Sequence, residues 1–428
     1  MKIPFVNSFL SLPAMIFLAL LSTAAVGGAG SVAAPYEIGT WEGFRPAAIT
    51  YTFDDNLPNQ YTIAVPMFHV AGFKMTLFTV VNSWVGTFTW SQAQTAASYG
   101  DEIASHTVTH PVLSGLSPAQ QTNELANSQA AINANVTNQS CVTLAYPNCV
   151  EGSEAVTAAY YIAARGCSGQ LVPSTPANFL NISSFVCGSL GSIQTPAQFN
   201  SQADSAATSK AWCVYLIHAL EGDNGYSPLP STTLQASVNY MSTNQNKFWV
   251  ETFGNVVRYI QERNASSVAE TATSNNSITI QVTNNLNNLI YDYPITLRRP
   301  VPANWPAVAV SQNNQRVTAK LVTVNSTNYV MFDVVPQRRE YRPLEDGSAV
   351  WPQQSGADDS GQPELSSEWA DGCDLHRLFL DRFGELVADS KQHVGRHFYR
   401  RDGGHFPSLP ILPSAVVAIA LQRFKSEK

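Results

Sequence analysis

Short apolar runs alternate with longer amphipathic segments between residues 47 and 263. Runs of four to eight residues bounded by turn residues predict strands, and they lie at 47–53, 74–80, 102–105, 141–146 and 214–217. Segments with helical spacing lie between or after them, at 61–72, 90–99, 118–133, 153–165 and 253–263. Ser117 and Pro118 have the residue types of a helix cap and first helical position. Strands alternating with helices of this length predict a parallel sheet or barrel.

Polar side chains that can bind a metal follow three of these strands. Asp54 and Asp55 end the first strand, His106 and His110 follow the third, and His218 follows the strand at 214–217. Two histidines and one aspartate supply three zinc ligands and leave a fourth position for water. One carboxylate and one imidazole then remain for proton transfer. Taken singly, an Asp pair is usually a solvated turn and an HxxxH is usually a helix surface. Their order and spacing favour a metal-dependent hydrolase.

The same residues carry a resemblance to the polysaccharide deacetylase (NodB-homology) family of secreted carbohydrate esterases. Residues 52–56, TFDDN, are similar to its first motif, TFDDG, and residues 105–110 match the second, SHTxxH. Residues 216–218 match the last motif, LxH, and the similarity runs from about 48 to 264. The resemblance implies a distorted (β/α) barrel with fewer than eight repeats. It also implies removal of acetyl groups from a polysaccharide.

The resemblance implies a role for each motif residue. The metal, usually zinc although cobalt or another divalent ion is an alternative, is bound by Asp55, His106 and His110. Asp54 is the base that takes a proton from the attacking water, and His218 is the acid for the leaving group. The backbone N–H of Tyr146 is the oxyanion donor, and Tyr146 and Pro147 contact the substrate.

Two family features are absent from their expected places. The motif RxPY appears as 144–148, LAYPN, in which Ala145 lies close to the place of the arginine that orients the base. The Asp-Trp pair that positions the acid has no match in 183–191. Trp84, Phe88 and Trp90 are candidates for a sugar groove, although core packing is favoured.

Composition and the amino-terminal segment predict where the protein acts. The net charge of -7 argues against nucleic acid or an anionic membrane surface as partners. Residues 1–34 contain Lys2, then an apolar stretch, then a run of small residues suited to a cleavage site. This arrangement predicts a signal peptide, and a membrane anchor is the alternative. We therefore predict a secreted, extracellular or cell-wall protein without a stable membrane anchor.

Glycosylation and disulfides would agree with secretion. Six sequons begin at Asn135, Asn138, Asn181, Asn264, Asn275 and Asn325. Five of the six cysteines lie between 141 and 213, which allows two disulfides and one thiol, and Cys149 is predicted to be half of a disulfide.

Beyond the barrel, the pattern changes twice. Residues 265–336 contain runs of period two separated by turn residues and predict a small all-β, sandwich-like module. Residues 337–428 lack a pattern and are interpreted as a tail, either disordered or the product of an incorrect gene model. Its pair His393 and His397 is disfavoured as a metal site by Gly395 and the basic residues around it.

We therefore predict a signal peptide at 1–34, a deacetylase domain at 35–264, the β module and the tail. The favoured reaction is the removal of N-acetyl groups from chitin-like N-acetylglucosamine polymers. The alternatives are an O-acetyl esterase acting on xylan and a carbohydrate-binding barrel with little turnover. The sequence leaves the oligomeric state open.

Overall fold

The computed structural model describes residues 30–82, 89–302, 304–305, 307–313, 315–336 and 418–423. Within these ranges the strands are β1 (Glu37–Ile38), β2 (Ala47–Asp54), β3 (Thr76–Thr79), β4 (Glu102–Ser105), β5 (Thr143–Ala145), β6 (Ala163–Arg165), β7 (Phe185–Val186), β8 (Trp212–Ile217), β9 (Phe248–Val250), β10 (Ser267–Thr273), β11 (Ser277–Thr283), β12 (Ile295–Pro300), β13 (Val308–Gln312), β14 (Gln315–Val317), β15 (Ala319–Val324), β16 (Thr327–Val334) and β17 (Ala418–Arg423). The helices are α1 (Val65–Ala71), which follows a π-helical turn at Gln60–Ala64, α2 (Trp90–Ser98), α3 (Pro118–Asn135), α4 (Glu154–Ala158), α5 (Pro196–Ser209), α6 (Ser231–Thr243) and α7 (Phe253–Ala265).

The strands β2 to β9 form one parallel sheet with helices on its outer face. Its order is β6-β5-β4-β3-β2-β8-β7, and β9 also pairs with β2. The chain before β7 returns to the other edge, where Ile182 forms a bridge with Arg165 of β6. This parallel half-barrel confirms the predicted distorted (β/α) barrel. Because all these strands are parallel, their carboxyl ends meet at one end of the barrel.

Alternation along β2 separates the outer and inner faces of the barrel. Ile49, Tyr51 and Phe53 are fully buried in a cluster with helix residues such as Phe68 and Phe199. The intervening residues face the interior, where the second cluster contains small side chains, including Ala48, Ala104, Ala145 and Ala163. Burying each large outer side chain stabilises the fold by about 1.5–3 kcal/mol. The small inner side chains leave room for polar groups at the end of the barrel.

The predicted helix at 153–165 is wrong in its second half. Helix α4 ends at Ala158, and residues 163–165 form β6, whose Arg165 is the parallel partner of Ala145 in β5. The alanines at 158, 159, 163 and 164 suit a helix, but pairing with β5 overrides this local preference. The correction moves Arg165 from a helix to the end of a barrel strand.

The predicted start of α3 is confirmed, since Ser117 accepts a hydrogen bond from the Gln120 N–H in a capping box.

The strands after residue 265 form two further sheets, one of which also includes β1. Their orders are β1-β12-β16-β15 and β10-β11-β17-β13-β14. The period-two prediction holds for β11, in which Ile278, Ile280 and Val282 are buried and their neighbours are not. Residues 337–417 lie outside the described residues, with the His393 and His397 pair among them. Residues 418–423 form β17, antiparallel between β11 and β13, so the tail interpretation is wrong for this segment.

Part of the predicted signal peptide contacts this β region. Residues 1–29 lie outside the described residues. The Gly30 N–H donates to the Asn264 carbonyl at 2.9 Å, and Val32 forms a bridge with Val268. Among the described residues, none of the helices has both the length and the apolar character needed to cross a bilayer.

The described cysteines form a single disulfide. Cys149 is bonded to Cys167, which confirms the prediction for Cys149. Cys141, Cys187 and Cys213 are buried free thiols, so the second disulfide that the sequence allows does not form among the cysteines of this region. The bond joins the loops that follow β5 and β6, and thereby fixes two loops at the carboxyl end of the barrel.

A buried carboxyl group in α7 predicts a dependence of stability on pH. Glu262 is fully buried, and burial raises its pKa to about 8, although it accepts a hydrogen bond from the Tyr293 N–H at 2.8 Å. Between about pH 4.5 and 8 the unfolded chain ionises this group while the folded chain retains the proton, so stability falls as the pH rises. Glu262→Gln should therefore raise the free energy of unfolding at pH 8.5 by on the order of 2–4 kcal/mol.

Urea unfolding of the parent and of the Glu262→Gln variant at pH 4.5 and pH 8.5 checks this prediction. The two proteins should differ little at the lower pH, where the folded chain carries the proton and the unfolded chain is only about half ionised at this group. An equal difference at both pH values would show that the substituted amide acts through packing and would contradict the pKa argument.

Candidate active site

Four inner-face positions at the carboxyl end of the barrel place polar side chains together. Asp54 ends β2, His106 follows β4, Arg165 ends β6 and His218 follows β8. Each lies an even number of residues from an inner position of its strand, so all four point into the end of the barrel. The structure thus brings together all five predicted catalytic and metal-binding residues, because Asp55 and His110 lie in the adjoining loops.

Asp55, His106 and His110 form a three-residue cluster suited to a metal ion. The Asp55 Oδ1 atom lies 3.7 Å from the Nε2 atom of His106 and 3.6 Å from that of His110. One ligand atom from each residue falls within 4.8 Å of the other two. Tetrahedral zinc, with bonds of about 2.1 Å, separates its ligand atoms by about 3.4 Å. The cluster therefore fits three zinc ligands and one open position.

The protonation of His106 suits a ligand. Its Nδ1 lies 2.8 Å from the Ala145 carbonyl, which only accepts hydrogen bonds, so Nδ1 carries the proton and Nε2 presents its lone pair to the cluster. Burial lowers the pKa of His106 to about 3, so the ring is neutral at physiological pH. Burial and then the neighbouring Asp54 carboxylate raise the pKa of Asp55 to about 6. A bound cation would offset both of these effects on Asp55.

The backbone at the cluster adopts conformations that most residues avoid. Asp55, Asn56 and His110 have φ values of 78°, 57° and 58°. Asn tolerates this left-handed region, which explains how it stands where the family motif has Gly. The Asn56 side chain also donates to the Val80 carbonyl at 2.9 Å and accepts from the Val80 N–H at 3.1 Å. These bonds join the end of β2 to the end of β3 and hold the turn that carries Asp55.

The loop that carries both histidines is held by its own side chains and by α3. Glu124 accepts hydrogen bonds from the N–H groups of Val108 and Thr109 at 2.8 and 2.9 Å. The Thr107 hydroxyl accepts from the His110 N–H at 3.0 Å. No sequence motif points to Glu124, which lies 14 residues beyond His110 and reaches the loop only because α3 packs beside it.

Removing the Glu124 carboxylate should therefore weaken metal binding. Glu124→Ala leaves two N–H groups of the loop without their acceptor, so the two imidazoles lose their fixed orientation. We expect the zinc affinity to fall by about 10- to 100-fold, the usual effect of losing an outer-shell partner. Zinc titration calorimetry measures this change, with Glu154→Ala on the exposed first turn of α4 as the matched control. Equal affinities for both variants would contradict the assigned role.

Arg165 supplies the cation that is absent from its expected place in the sequence motif. Its Nη2 donates to Asp54 Oδ2, its Nη1 donates to the Ser184 hydroxyl at 3.3 Å, and its guanidinium lies over the Phe78 ring. Ala145, at the place of the family arginine, is the register partner of Arg165. The arginine has thus moved to the adjacent strand at the same level. In the sequence, this arginine is recognisable only as a positively charged residue that follows two alanines, Ala163 and Ala164, and precedes Gly166.

The charges around Asp54 keep it ionised. Burial by itself raises the pKa of this carboxyl, but attraction to its neighbours, of which the Arg165 guanidinium is the strongest, outweighs burial and holds the pKa below its usual range. Arg165 occupies Oδ2, while Oδ1 is buried and accepts no hydrogen bond from the described residues. One oxygen of the Asp54 carboxylate is therefore left without a hydrogen-bond donor among the described residues.

His218 lies at the site but lacks the family's positioning partner. Its Nε2 is 3.9 Å from Asp54 Oδ2. Its Nδ1 is buried and has no hydrogen-bond partner in the described part of the chain. The ring instead meets Tyr226 edge-on, with the ring centroids 4.9 Å apart.

The predicted roles of Tyr146 and Pro147 require correction. The Tyr146 N–H donates to the Arg165 carbonyl at 3.1 Å as part of the β5–β6 pairing, so it is already used and an oxyanion would need another donor. The side chains of Tyr146 and Pro147 are buried rather than open to a substrate.

Of the aromatic residues considered for a sugar groove, Trp84 and Phe88 lie outside the described residues, and Trp90 begins α2.

Comparisons with known proteins agree with this arrangement. Residues 43–164 match the model of the polysaccharide deacetylase family, a segment that includes Asp54, Asp55 and both histidines and ends one residue before Arg165. A gellan lyase from a Bacillus species is 29% identical over 381 residues, which cover 84% of this chain and 15% of that protein. The Bacillus subtilis protein YxkH, assigned as a polysaccharide deacetylase, is 34% identical over 102 residues, which cover 23% of this chain and 36% of that protein. The chain thus spans well under half the length of either relative.

Among solved structures, the Xyl-CE4 domain of a multidomain xylanase from the hindgut metagenome of Trinervitermes trinervoides aligns with 49% of this chain and 88% of its own. The identity is 17% and the TM-score is 0.36. Residues 43–164 thus match a polysaccharide deacetylase domain, and the parallel half-barrel of the described residues agrees with that match.

Proposed function

We propose that this protein is a metal-dependent hydrolase that removes acetyl groups from a polysaccharide. The observation that carries the proposal is the juxtaposition of two sets of groups. Asp55, His106 and His110 form the ligand cluster, and the ionised Asp54 and the imidazole of His218 lie directly beside it. A base, an acid and a metal site side by side are the groups that hydrolysis of an amide or ester needs.

The residues of this chain divide the proton transfers between them. A divalent cation, when bound, supplies the positive charge that polarises an acetyl carbonyl and lowers the pKa of water. Asp54 takes the proton of the attacking water, because Arg165 keeps it ionised while leaving Oδ1 without a partner. His218 gives a proton to the departing nitrogen or oxygen. The buried setting strengthens each of these electrostatic effects.

The favoured substrate is an N-acetylglucosamine polymer, and an O-acetylated polymer such as xylan is the second candidate. One observation favours the second candidate: the Nδ1 atom of His218 has no hydrogen-bond partner among the described residues. An imidazole without this support is a less well oriented acid. Hydrolysis of an ester releases an alkoxide, which needs less help from a proton than the amine released from an amide. An ester substrate therefore tolerates a poorly oriented acid better.

The carbohydrate-binding alternative loses its main support. It rested on a missing arginine and a missing Asp-Trp pair, and Arg165 now stands beside Asp54 in place of the first. Binding of a polymer alone does not require an ionised carboxylate beside a ligand cluster. We therefore place turnover ahead of binding.

We also propose that the protein is secreted and glycosylated. A disulfide between Cys149 and Cys167 fits an oxidising compartment. The asparagines of all six predicted sequons are exposed, as glycan attachment requires: Asn135, Asn138, Asn181, Asn264, Asn275 and Asn325.

Acetate release by the full chain tests the proposed reaction. The zinc-loaded protein is offered N-acetylglucosamine oligomers, acetylated xylan and acetylated gellan. Gellan is included because a gellan lyase is one of the similar proteins. Release that stops on chelation and returns with zinc supports the proposal, and the preferred polymer distinguishes amide from ester. No release from any of the three, with zinc bound, would overturn it, and retained polymer affinity would then favour the binding protein.

A further inference from the structure

Two exposed apolar side chains lie on the loops next to His218, and the site described above gives neither of them a role. Tyr226 is 51% exposed although its ring meets the His218 ring edge-on. Leu190, on the loop after β7, is 68% exposed. Ligand sites in proteins are lined by apolar and aromatic side chains next to a few polar groups. This pair therefore marks a candidate wall for the substrate.

The two loops are fixed against each other. The Leu190 N–H donates to the Ser227 hydroxyl at 3.0 Å, and this hydroxyl donates to the Cys187 carbonyl at 2.9 Å. A Cβ atom at Gly188 would lie 1.9 Å from the Ser227 carbonyl oxygen, so the approach of the two backbones requires glycine at this position. The loops that carry Tyr226 and Leu190 are consequently held against each other.

The loop that carries Tyr226 is also fastened to the turn after β2. Asp223 accepts hydrogen bonds from the Asn59 N–H at 3.1 Å and from the Leu220 N–H at 3.2 Å. The Asn59 side chain donates to the Glu221 carbonyl at 2.8 Å. An aromatic ring on a loop fixed in this way loses little conformational freedom on binding a ligand.

The chemistry of the leaving group identifies what this surface binds. In the proposed reaction His218 protonates the nitrogen or oxygen that remains on the sugar, so the sugar ring carrying the acetyl group must lie within a few ångströms of His218. The ring of Tyr226 is exposed and meets that histidine edge-on. Sugar rings have apolar C–H faces that pack on aromatic rings. We propose that Tyr226, with Leu190 on the adjoining loop, is the platform on which the reacting sugar ring stacks, an inference that rests on the proposed function.

Comparison of two substrates tests the platform separately from the reaction. An acetylated oligosaccharide presents a sugar ring at the site, whereas 4-nitrophenyl acetate presents the same acetyl group without one. Tyr226→Ala should lower kcat/KM for the oligosaccharide by about 10-fold or more, mainly through KM, and should lower it far less for 4-nitrophenyl acetate. Tyr226→Phe should retain the parent value, since stacking does not need the hydroxyl.

Tyr99→Ala is the matched control. Tyr99 is 42% exposed and stacks on His69, but it precedes β4 and so lies toward the amino ends of the strands. Its variant should resemble the parent with both substrates. An equal loss on both substrates for Tyr226→Ala, or no loss on either, would overturn the platform.

A polymer-binding measurement covers the case in which the parent releases no acetate. Affinity electrophoresis through acetylated xylan and through an N-acetylglucosamine polymer compares the parent with Tyr226→Ala and Tyr99→Ala. Weaker retardation of the Tyr226 variant alone would support the platform even though the proposed reaction had failed. Equal retardation of all three proteins would exclude it.

Discussion

Asp54→Asn should reduce acetate release by about 100- to 10,000-fold while leaving zinc binding nearly unchanged. The expected loss is the usual contribution of a positioned base. Asparagine has nearly the same shape as aspartate and accepts a hydrogen bond from Arg165, but it cannot take a proton from water. The ligand cluster of Asp55, His106 and His110 does not include Asp54 and should still bind the metal. Steady-state rates and zinc titration calorimetry on the same preparations measure the two effects.

Two further variants make this prediction specific. Asp55→Asn removes a ligand instead of the base, so it should lose zinc affinity together with activity. Asp204→Asn changes an exposed carboxylate on α5 and should alter neither quantity. A large fall in zinc affinity for Asp54→Asn would show that Asp54 is itself a ligand, and unchanged activity would show that it is not the base.

Arg165→Met should be the most destabilising of the substitutions considered, and it should also impair turnover. Arg165 and Asp54 are 1% and 3% exposed in their side chains, so the variant leaves a buried carboxylate without its cation. Breaking a buried pair in this way costs about 3–5 kcal/mol in the free energy of unfolding. The Asp54 carboxylate also loses the group that orients it. Arg165→Lys should recover only part of the loss, because an ammonium cannot contact both Asp54 and Ser184 in the planar geometry of the guanidinium.

Moving the arginine back to β5 gives a rescue that a purely structural role would not predict. Ala145 is the register partner of Arg165, and parallel partners direct their side chains to the same face. The double variant Ala145→Arg with Arg165→Ala should therefore regain activity relative to Arg165→Ala alone. Urea unfolding and acetate release are measured for each protein. A double variant that regains stability without activity would show that Arg165 only fills the barrel and does not position the base.

The fold illustrates which features a single sequence specifies. The apolar run in β2 and the cap formed by Ser117 are local patterns, so their strand and helix could be predicted within a few residues. Residues 158–164 are rich in alanine, which locally favours a helix, and only pairing with β5 makes β6 a strand. The segment at 418–423 becomes a strand because β11 and β13 lie on either side of it, which its own sequence does not reveal.

The chemistry divides in the same way. The sequence by itself determined the ligand and base candidates, because Asp54, Asp55, His106, His110 and His218 follow recognisable strands in motifs of fixed spacing. The tertiary structure alone decided that Arg165 faces Asp54 across 111 positions of the chain, that the Tyr146 N–H is used within the sheet, and that Tyr226 stands against His218. The physical reason is the parallel barrel: it places the ends of distant strands at one level, and the register between β5 and β6 determines which side chain fills each inner position. Such neighbours share no sequence pattern, so only the packed fold brings them together.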